Sequence, residues 1–129
     1  MTKPRAVFLD ALSLGPVDLA PLQRHAELIC WPSTGEAERL ERLQGATIAI
    51  TNKIRLDGAL LRQLPQLRLI CAASTGTDQI DTDTCRDLGI TVRNACRYIT
   101  ASVVQVSWAL ILELVCNLSL RRQQVRDGT

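Results

Sequence analysis

Histidine and closely paired cysteines are scarce in this sequence. The 129 residues include one histidine, His25, in a polar segment typical of a protein surface, and five cysteines without a C-x-x-C pair. A zinc site needs several such ligands at short spacings, so the sequence predicts no metal site. Because the cysteine count is odd and the N-terminus does not resemble a secretion signal, we expect reduced thiols and a cytoplasmic location. Cys30 and Cys71 lie in apolar runs and are expected to be buried.

Long apolar runs and a strong charge of either sign are also missing. The most apolar stretch, residues 103–120, is interrupted by Gln105, Glu113 and Asn117, whereas a membrane span requires about 20 apolar residues in a row. The 15 basic and 13 acidic residues are interleaved and give a formal charge of +2. We therefore expect neither a membrane nor a nucleic acid as partner.

A glycine-rich phosphate motif is the third absence. No G-x-G-x-x-G occurs among the seven glycines. That motif gives a strand-to-helix turn the close backbone approach that a dinucleotide pyrophosphate requires. The sequence therefore predicts that this chain alone does not bind a dinucleotide tightly.

Short apolar segments alternate with helical patterns over the first three quarters of the chain. This alternation predicts an α/β fold: a flavodoxin-like five-stranded parallel sheet with helices on both faces, plus a long C-terminal helix. We expect Asp57 to cap one helix, Ser33 or Thr34 to cap another, and Gly45 and Gly89 to end helices. The predicted strands are 5–10, 27–31, 46–50, 67–73 and 90–92, and the helices between them are 18–25, 34–44, 57–64 and 81–88.

The C-terminal segment predicts one long helix. Thr100 or Ser102 is a candidate cap, with Gln105 completing a capping box from Ser102. The helix carries more apolar residues than one sheet face requires, so we expect a homodimer through residues 102–125; folding back onto its own sheet is the alternative. The predicted domains are residues 1–99 and 100–129.

Two polar segments follow predicted strands. They are Thr51-Asn52-Lys53 after the third strand and Ser74-Thr75-Gly76-Thr77 after the fourth. Ligands of open parallel sheets bind at the carboxyl ends of the strands, and successive backbone N–H groups around a glycine can bind an anion. We therefore expect a small carboxylate at this edge, with Gly76 permitting close backbone approach or a positive φ. The alternative is that Gly76 only makes a turn and that Asp78 caps the next helix.

Five motifs occur in a fixed order over the second half of the chain. This series resembles the N-terminal substrate-binding (catalytic) domain of the D-isomer-specific 2-hydroxyacid dehydrogenase family, with features of its glycerate dehydrogenase/hydroxypyruvate reductase branch. Arg97, Val104 and Val106 depart from residues common in the family. The motifs are Thr51-Asn52-Lys53, Leu64-Pro65-Gln66-Leu67-Arg68-Leu69-Ile70, Thr75-Gly76-Thr77-Asp78-Gln79-Ile80-Asp81, Gly89-Ile90-Thr91-Val92-Arg93-Asn94 and Tyr98-Ile99-Thr100-Ala101-Ser102-Val103-Val104-Gln105.

The resemblance implies roles for these residues. It implies that the loop Ser74-Thr75-Gly76-Thr77 binds the substrate carboxylate, that Lys53 lines the same pocket, and that Thr75 and Val103 lie near the nicotinamide. The parent enzyme is then expected to interconvert a small 2-keto acid and a D-2-hydroxy acid with NAD or NADP. The family's catalytic arginine, glutamate and histidine belong to a second domain joined through a hinge, here residues 94–100. We therefore expect no catalytic residue in this chain and no turnover by the chain alone.

A second hypothesis remains open, in which the chain is a non-catalytic flavodoxin-like binding or dimerisation module. Flavin binding is disfavoured because residues 11–15, after the first strand, are not a Ser/Thr-rich phosphate loop. A receiver domain would use Asp10 at the end of the first strand. It would also need an aspartate after the third strand, where Thr51-Asn52-Lys53 stands instead.

Overall fold

In the computed structural model, which describes residues 3–96 and 98–129, five parallel strands form one sheet. Their spatial order is β2-β1-β3-β4-β5, which confirms the predicted flavodoxin-like topology. The switch point of this order lies between β1 and β3, where connections leave in opposite directions. The strands are β1 (Arg5–Phe8), β2 (Glu27–Cys30), β3 (Ile48–Thr51), β4 (Leu69–Ala72) and β5 (Thr91–Asn94).

Short helices connect the strands. Right-handed crossovers put α1 on one face of this sheet and α2, α3 and α4 on the other. The helices are α1 (Ala20–Gln23), α2 (Arg39–Leu43), α3 (Gly58–Leu61) and α4 (Thr82–Asp87), with 3₁₀ turns at Ala11–Leu14 and Glu36–Glu38.

The main core lies between the sheet and the three helices α2, α3 and α4. Because side chains alternate along a strand, Val7 and Leu9 point to this face together. Leucines from the helices cover them, and every member of the cluster is almost completely buried. The cluster consists of Val7, Leu9, Leu43, Ala46, Ala49, Leu56, Leu60, Leu61, Leu64, Leu67, Ile70, Ala72, Ile80, Cys85 and Ile90.

Aspartates cap two of these helices. The Leu60 N–H donates to Asp57 Oδ1 at 3.0 Å, which confirms the predicted cap of α3. At α4 the cap is Asp81, which accepts from the Thr84 N–H at 2.9 Å, so the alternative that assigned this cap to Asp78 is wrong.

The predicted cap at Ser33 or Thr34 is also wrong. The Thr34 hydroxyl donates instead to the Leu9 carbonyl and so joins this loop to the end of β1. A 3₁₀ turn precedes α2, and there the Gly35 N–H donates to Glu38 Oε2 at 2.7 Å. The side-chain acceptor therefore comes from within the turn and not from the residue before it.

Substituting Asp57 with asparagine should make the free energy of unfolding less dependent on pH under acidic conditions. The Leu60 N–H, and then the Arg39 guanidinium 3.0 Å away, hold the Asp57 carboxyl pKa below its ordinary 3.8. A lowered pKa stabilises the fold above the unfolded-state value, and this contribution is lost as the pH falls through the lower, folded-state value. Asparagine still caps the helix but does not titrate. Urea unfolding at pH 5 and pH 3 should show a smaller loss for Asp57→Asn than for the wild type; equal losses would contradict the assignment.

The residues group into two units, one ending at Cys96 and the other running from there to Thr129. The second unit contains α5 (Thr100–Cys116) and α6 (Leu118–Asp127). Met1, Thr2 and Arg97, which fall within the predicted domains and hinge, lie outside the described residues. The boundary between residues 99 and 100 and the hinge at 94–100 stay predictions.

The long C-terminal helix is present, but it does not run unbroken over 102–125 as predicted. Asn117 has a left-handed backbone, with φ 47°, and the two helices meet there at 56°. Asparagine tolerates this conformation better than most residues. Glu113 stabilises the break because its backbone carbonyl accepts from the Asn117 N–H and its Oε1 accepts from the Ser119 N–H.

The predicted cap at Thr100 or Ser102 is wrong, because α5 starts at Thr100, directly after Ile99, without a side-chain cap. Neither helix of the second unit is by itself long and apolar enough to cross a bilayer. Only the bent pair taken together reaches the required length and hydropathy.

The five cysteines are all free, and neither Cys30 nor Cys71 is fully buried as expected. Cys30 is exposed because β2 is an edge strand, whereas Cys71 in β4 is half-buried. Burial raises the pKa of the Cys71 thiol and, together with the nearby Asp81 carboxylate, that of Cys85. These two thiols are therefore poor nucleophiles at neutral pH.

Candidate functional site

A buried carboxylate fixes the loop after β3. Asp10, which is 4% exposed and follows the end of β1, accepts from the Asn52 N–H at 2.9 Å and from the Lys53 N–H at 2.7 Å. The Asn52 side chain adds a bond from Nδ2 to Ser13 Oγ at 3.1 Å. The loops that follow β1 and β3 are therefore tied together at the switch point of the sheet.

Sequence reasoning considered Asp10 only as a phosphorylation-site residue and missed this role. The available signal was an acidic residue directly after a buried parallel strand. In the structure its two oxygens are occupied by backbone N–H groups.

Lys53 lies beside the hydrogen bonds that Asp10 accepts, and its side chain is exposed. It lines a cavity of about 250 Å³ that also includes residues from the loops after β1 and β2, among them Ser13 and Ser33. The structure thus groups the Lys53 side chain with the loops after β1 and β2. Its place in a pocket with residues 74–77 stays a prediction.

The second predicted segment, Ser74-Thr75-Gly76-Thr77, follows β4 and is called the carboxylate loop below. Thr75 and Gly76 are exposed, and Ser74 and Thr77 are half-buried. Among the described residues, none accepts a hydrogen bond from the backbone N–H of Thr75, Gly76 or Thr77. These three successive N–H groups lie at the carboxyl edge of the sheet, where ligands of open parallel sheets bind.

Gly76 does not have a positive φ, in contrast to Gly15, Gly45, Gly89 and Gly128. The positive-φ explanation for this glycine is therefore wrong. A Cβ atom at Gly76 would lie 3.2 Å from Asp78 Oδ2, the end of an exposed side chain. The absence of a side chain here leaves the neighbouring N–H groups open to close approach by a ligand.

Gln79 joins the carboxylate loop to the loop after β3. Its Nε2 donates to the Asn52 carbonyl and to Ser74 Oγ, both at 3.1 Å. Asp10, Asn52, Gln79 and Ser74 therefore connect the carboxyl ends of β1, β3 and β4. Sequence reasoning did not single out Gln79, and no local pattern distinguishes it from a surface residue.

The predicted cofactor contacts, Thr75 and Val103, lie in different units. Thr75 Oγ1 donates to the Ala95 carbonyl at 3.3 Å within the first unit. Val103 is 55% exposed in the first turn of α5, on an apolar part of the helix surface that it shares with Val106. Their joint contact with a nicotinamide stays a prediction.

A family comparison covers most of the chain. Residues 6–109 match the family described as D-isomer specific 2-hydroxyacid dehydrogenase, catalytic domain. This chain belongs to that family. The matched region includes the loops after β1, β3 and β4 described above.

Two curated relatives match this member of the dehydrogenase family over different shares of its length. It is 42% identical to a glycerate dehydrogenase of Methylorubrum extorquens over 76% of the chain and 31% of the relative. It is 32% identical to a hydroxypyruvate reductase of Blautia hydrogenotrophica over 96% of the chain and 40% of the relative. The chain thus spans about two fifths or less of the length of these curated relatives.

Solved structures show the same fold over almost the whole chain. A 2-hydroxyacid dehydrogenase from Ketogulonicigenium vulgare superposes with a TM-score of 0.76 at 25% identity, covering 99% of this chain and 41% of that one. A D-lactate dehydrogenase from Aquifex aeolicus, complexed with NAD and lactic acid, gives 0.73 at 26% identity and covers 95% and 37%.

Proposed function

We propose that this chain is the substrate-binding portion of an NAD(P)-dependent D-2-hydroxyacid dehydrogenase that interconverts a small 2-keto acid and a D-2-hydroxy acid. The observation that carries the proposal is that three successive N–H groups at the carboxyl edge of the sheet, those of Thr75, Gly76 and Thr77, have no acceptor within residues 3–96 and 98–129. The names of the relatives favour the branch that acts on glycerate and hydroxypyruvate.

In this proposal each site residue has a defined task. The carboxylate loop, Ser74-Thr75-Gly76-Thr77, binds the substrate carboxylate through its backbone, and Lys53 adds positive charge nearby. Thr75 and Val103 contact the nicotinamide of NAD or NADP, which supplies or accepts the hydride when bound. The chain contributes no acid–base group to the reaction, so its task is to bind and orient the substrate.

The test is a titration of the ¹⁵N-labelled 129-residue chain with glycolate, the smallest 2-hydroxy acid. We expect saturable amide shifts at Thr75, Gly76 and Thr77, with a Kd of about 1 mM or weaker for so small a ligand. Ethylene glycol, which has the hydroxyl but no carboxylate, should leave these resonances unchanged. Glycolate shifts that avoid the carboxylate loop would overturn the proposal and favour the alternative, a non-catalytic binding or dimerisation module.

We further propose that the protein is a cytoplasmic homodimer that pairs through the segment 102–125, now seen as α5 and most of α6. The support is the amount of apolar surface that α5 exposes, since contiguous apolar patches of this kind mark interaction sites. Leu114 is 79% and Val115 is 74% exposed. The other large exposed apolar residues of α5 are Val103, Val104, Val106, Trp108, Leu110, Ile111 and Leu112.

The substitution Leu114→Glu should dissociate this dimer. A buried unpaired carboxylate at a helix pair strongly opposes association. Light scattering should give twice the 14.2 kDa chain mass for the wild type and one chain mass for the variant. Gln66→Glu adds the same charge at an exposed position outside the segment 102–125 and should remain dimeric. A wild-type mass of one chain would contradict the dimer without affecting the carboxylate site.

A further inference from the structure

The three N–H groups of the carboxylate loop belong to peptide groups that each have a carbonyl on the opposite side. The Thr75 N–H shares its peptide group with the Ser74 carbonyl. In the same way, the N–H groups of Gly76 and Thr77 share theirs with the carbonyls of Thr75 and Gly76. Whatever holds these three carbonyls therefore also sets the direction of the three N–H donors.

All three carbonyls accept a hydrogen bond from a fixed donor. The Ala95 N–H donates to Ser74 O at 3.0 Å. Asn94 Nδ2 donates to Thr75 O at 2.6 Å. The Ser74 hydroxyl donates to Gly76 O at 2.8 Å.

The side chains of Gln79 and Cys96 keep two of these donors in place, the Ser74 hydroxyl and Asn94 Nδ2. The hydroxyl of Ser74 has one hydrogen, which it gives to Gly76 O, so its oxygen accepts from Gln79 Nε2 at 3.1 Å. The second Nε2 hydrogen of Gln79 goes to the Asn52 carbonyl, which anchors the side chain to the loop after β3. At Asn94, the Cys96 thiol donates to Oδ1 at 3.2 Å, which directs Nδ2 toward the carboxylate loop.

We propose that Asn94 and Gln79 are positioning residues for the substrate carboxylate. Neither side chain touches it; each acts through a peptide carbonyl of the carboxylate loop, Asn94 directly and Gln79 through Ser74. A peptide carbonyl that accepts a hydrogen bond makes the N–H of the same peptide a stronger donor. It also holds the loop in its binding conformation before the ligand arrives, which lowers the entropy cost of binding.

This proposal rests on the proposed function, since it presumes that a carboxylate binds the loop. Its test uses Asn94→Ala, with Thr91→Ala as the control at another exposed position of the edge strand β5. Glycolate should bind Asn94→Ala about three- to tenfold more weakly than the wild type, as expected for one hydrogen bond. Thr91→Ala should bind glycolate as the wild type does.

A spectroscopic signature separates positioning from a general loss of structure. In the ligand-free chain, the Gly76 amide proton should move upfield in Asn94→Ala, because the carbonyl of its peptide group loses its partner. The Thr77 amide proton should move in Gln79→Met, which removes both Nε2 donors at similar side-chain length. Gln79→Met also provides the binding measurement if Asn94→Ala does not fold.

The outcomes distinguish the two proposals. If wild-type chain does not bind glycolate, the proposed function fails, and this inference fails with it. If the wild type binds but Asn94→Ala and Gln79→Met bind equally well, with unchanged Gly76 and Thr77 amide protons, only the positioning role is overturned.

Discussion

Replacing Gly76 with alanine should weaken glycolate binding at least tenfold while leaving the chain folded. Because Gly76 does not have a positive φ, alanine fits its backbone conformation without strain. The new Cβ would lie 3.2 Å from Asp78 Oδ2, which is exposed and can rotate away. Urea unfolding of Gly76→Ala should therefore agree with that of the wild type to within about 0.5 kcal/mol.

The loss of binding has a steric cause. A carboxylate must come within about 3 Å of backbone N–H groups to accept their hydrogen bonds. A methyl group on the central residue of the carboxylate loop would occupy part of this space. We expect the Kd for glycolate to rise at least tenfold, which corresponds to about 1.4 kcal/mol.

Gly89→Ala is the matched control and should show the opposite pattern. Gly89 ends the α4 connection with φ +68°, and a Cβ atom there has no neighbour within 4 Å. Alanine in this left-handed conformation costs about 1–2 kcal/mol of stability through strain alone. Its glycolate affinity should equal that of the wild type. Normal glycolate binding by Gly76→Ala would exclude the carboxylate loop as the binding site.

Asp10→Ala should lower the free energy of unfolding by about 3 kcal/mol, the upper range for a buried charged acceptor whose donors lose their partner. The carboxylate is 4% exposed and accepts from the N–H groups of Asn52 and Lys53. Alanine leaves both of these N–H groups without an acceptor in a partly buried position. Guanidinium unfolding followed by circular dichroism measures the change.

The control for Asp10 is Asp18→Ala. Asp18 also accepts from a backbone N–H, that of Ala20 at 2.9 Å, but it does so in an exposed position. Its loss should cost about 1 kcal/mol or less, because water replaces the partner. Equal losses for the two variants would show that the tie between the loops after β1 and β3 contributes little to stability.

The sheet could be predicted because local patterns and general topology rules act together. Runs such as Ala6-Val7-Phe8-Leu9 are apolar on both faces, which only a sheet covered on both sides requires. Helices between them make the strands parallel, and right-handed crossovers then leave few strand orders. The helix cap at Asp57 and the helix end at Gly89 could be predicted from the sequence because both depend only on the conformation of the adjacent backbone.

The site was predictable only in part. Gly76 and its neighbours stood out because a glycine follows a strand end in a family motif. Gln79 and Asn94 lie within the quoted motifs but were not assigned to the site, because their partners are the Asn52 and Thr75 carbonyls, 27 and 19 residues away. Backbone carbonyls occur at every position, so no residue pattern marks the one that accepts.

The break at Asn117 and the exposure of Cys30 escaped prediction for related reasons. One left-handed residue can interrupt a helix whose apolar pattern continues on both sides. An apolar run such as Glu27–Cys30 does not show whether its strand is central or at an edge.

Asn94 lies in β5, an edge strand of the sheet, so its side chain also affects whether this edge pairs with other molecules. The outer side of an edge strand presents unpaired backbone groups that can recruit a strand from another molecule. The polar sequence Thr91-Val92-Arg93-Asn94 opposes such aggregation. An apolar residue at position 94 would therefore combine the weaker glycolate binding that we expect with a sheet edge more prone to aggregation, so the proposed positioning role and protection against aggregation favour the same side chain.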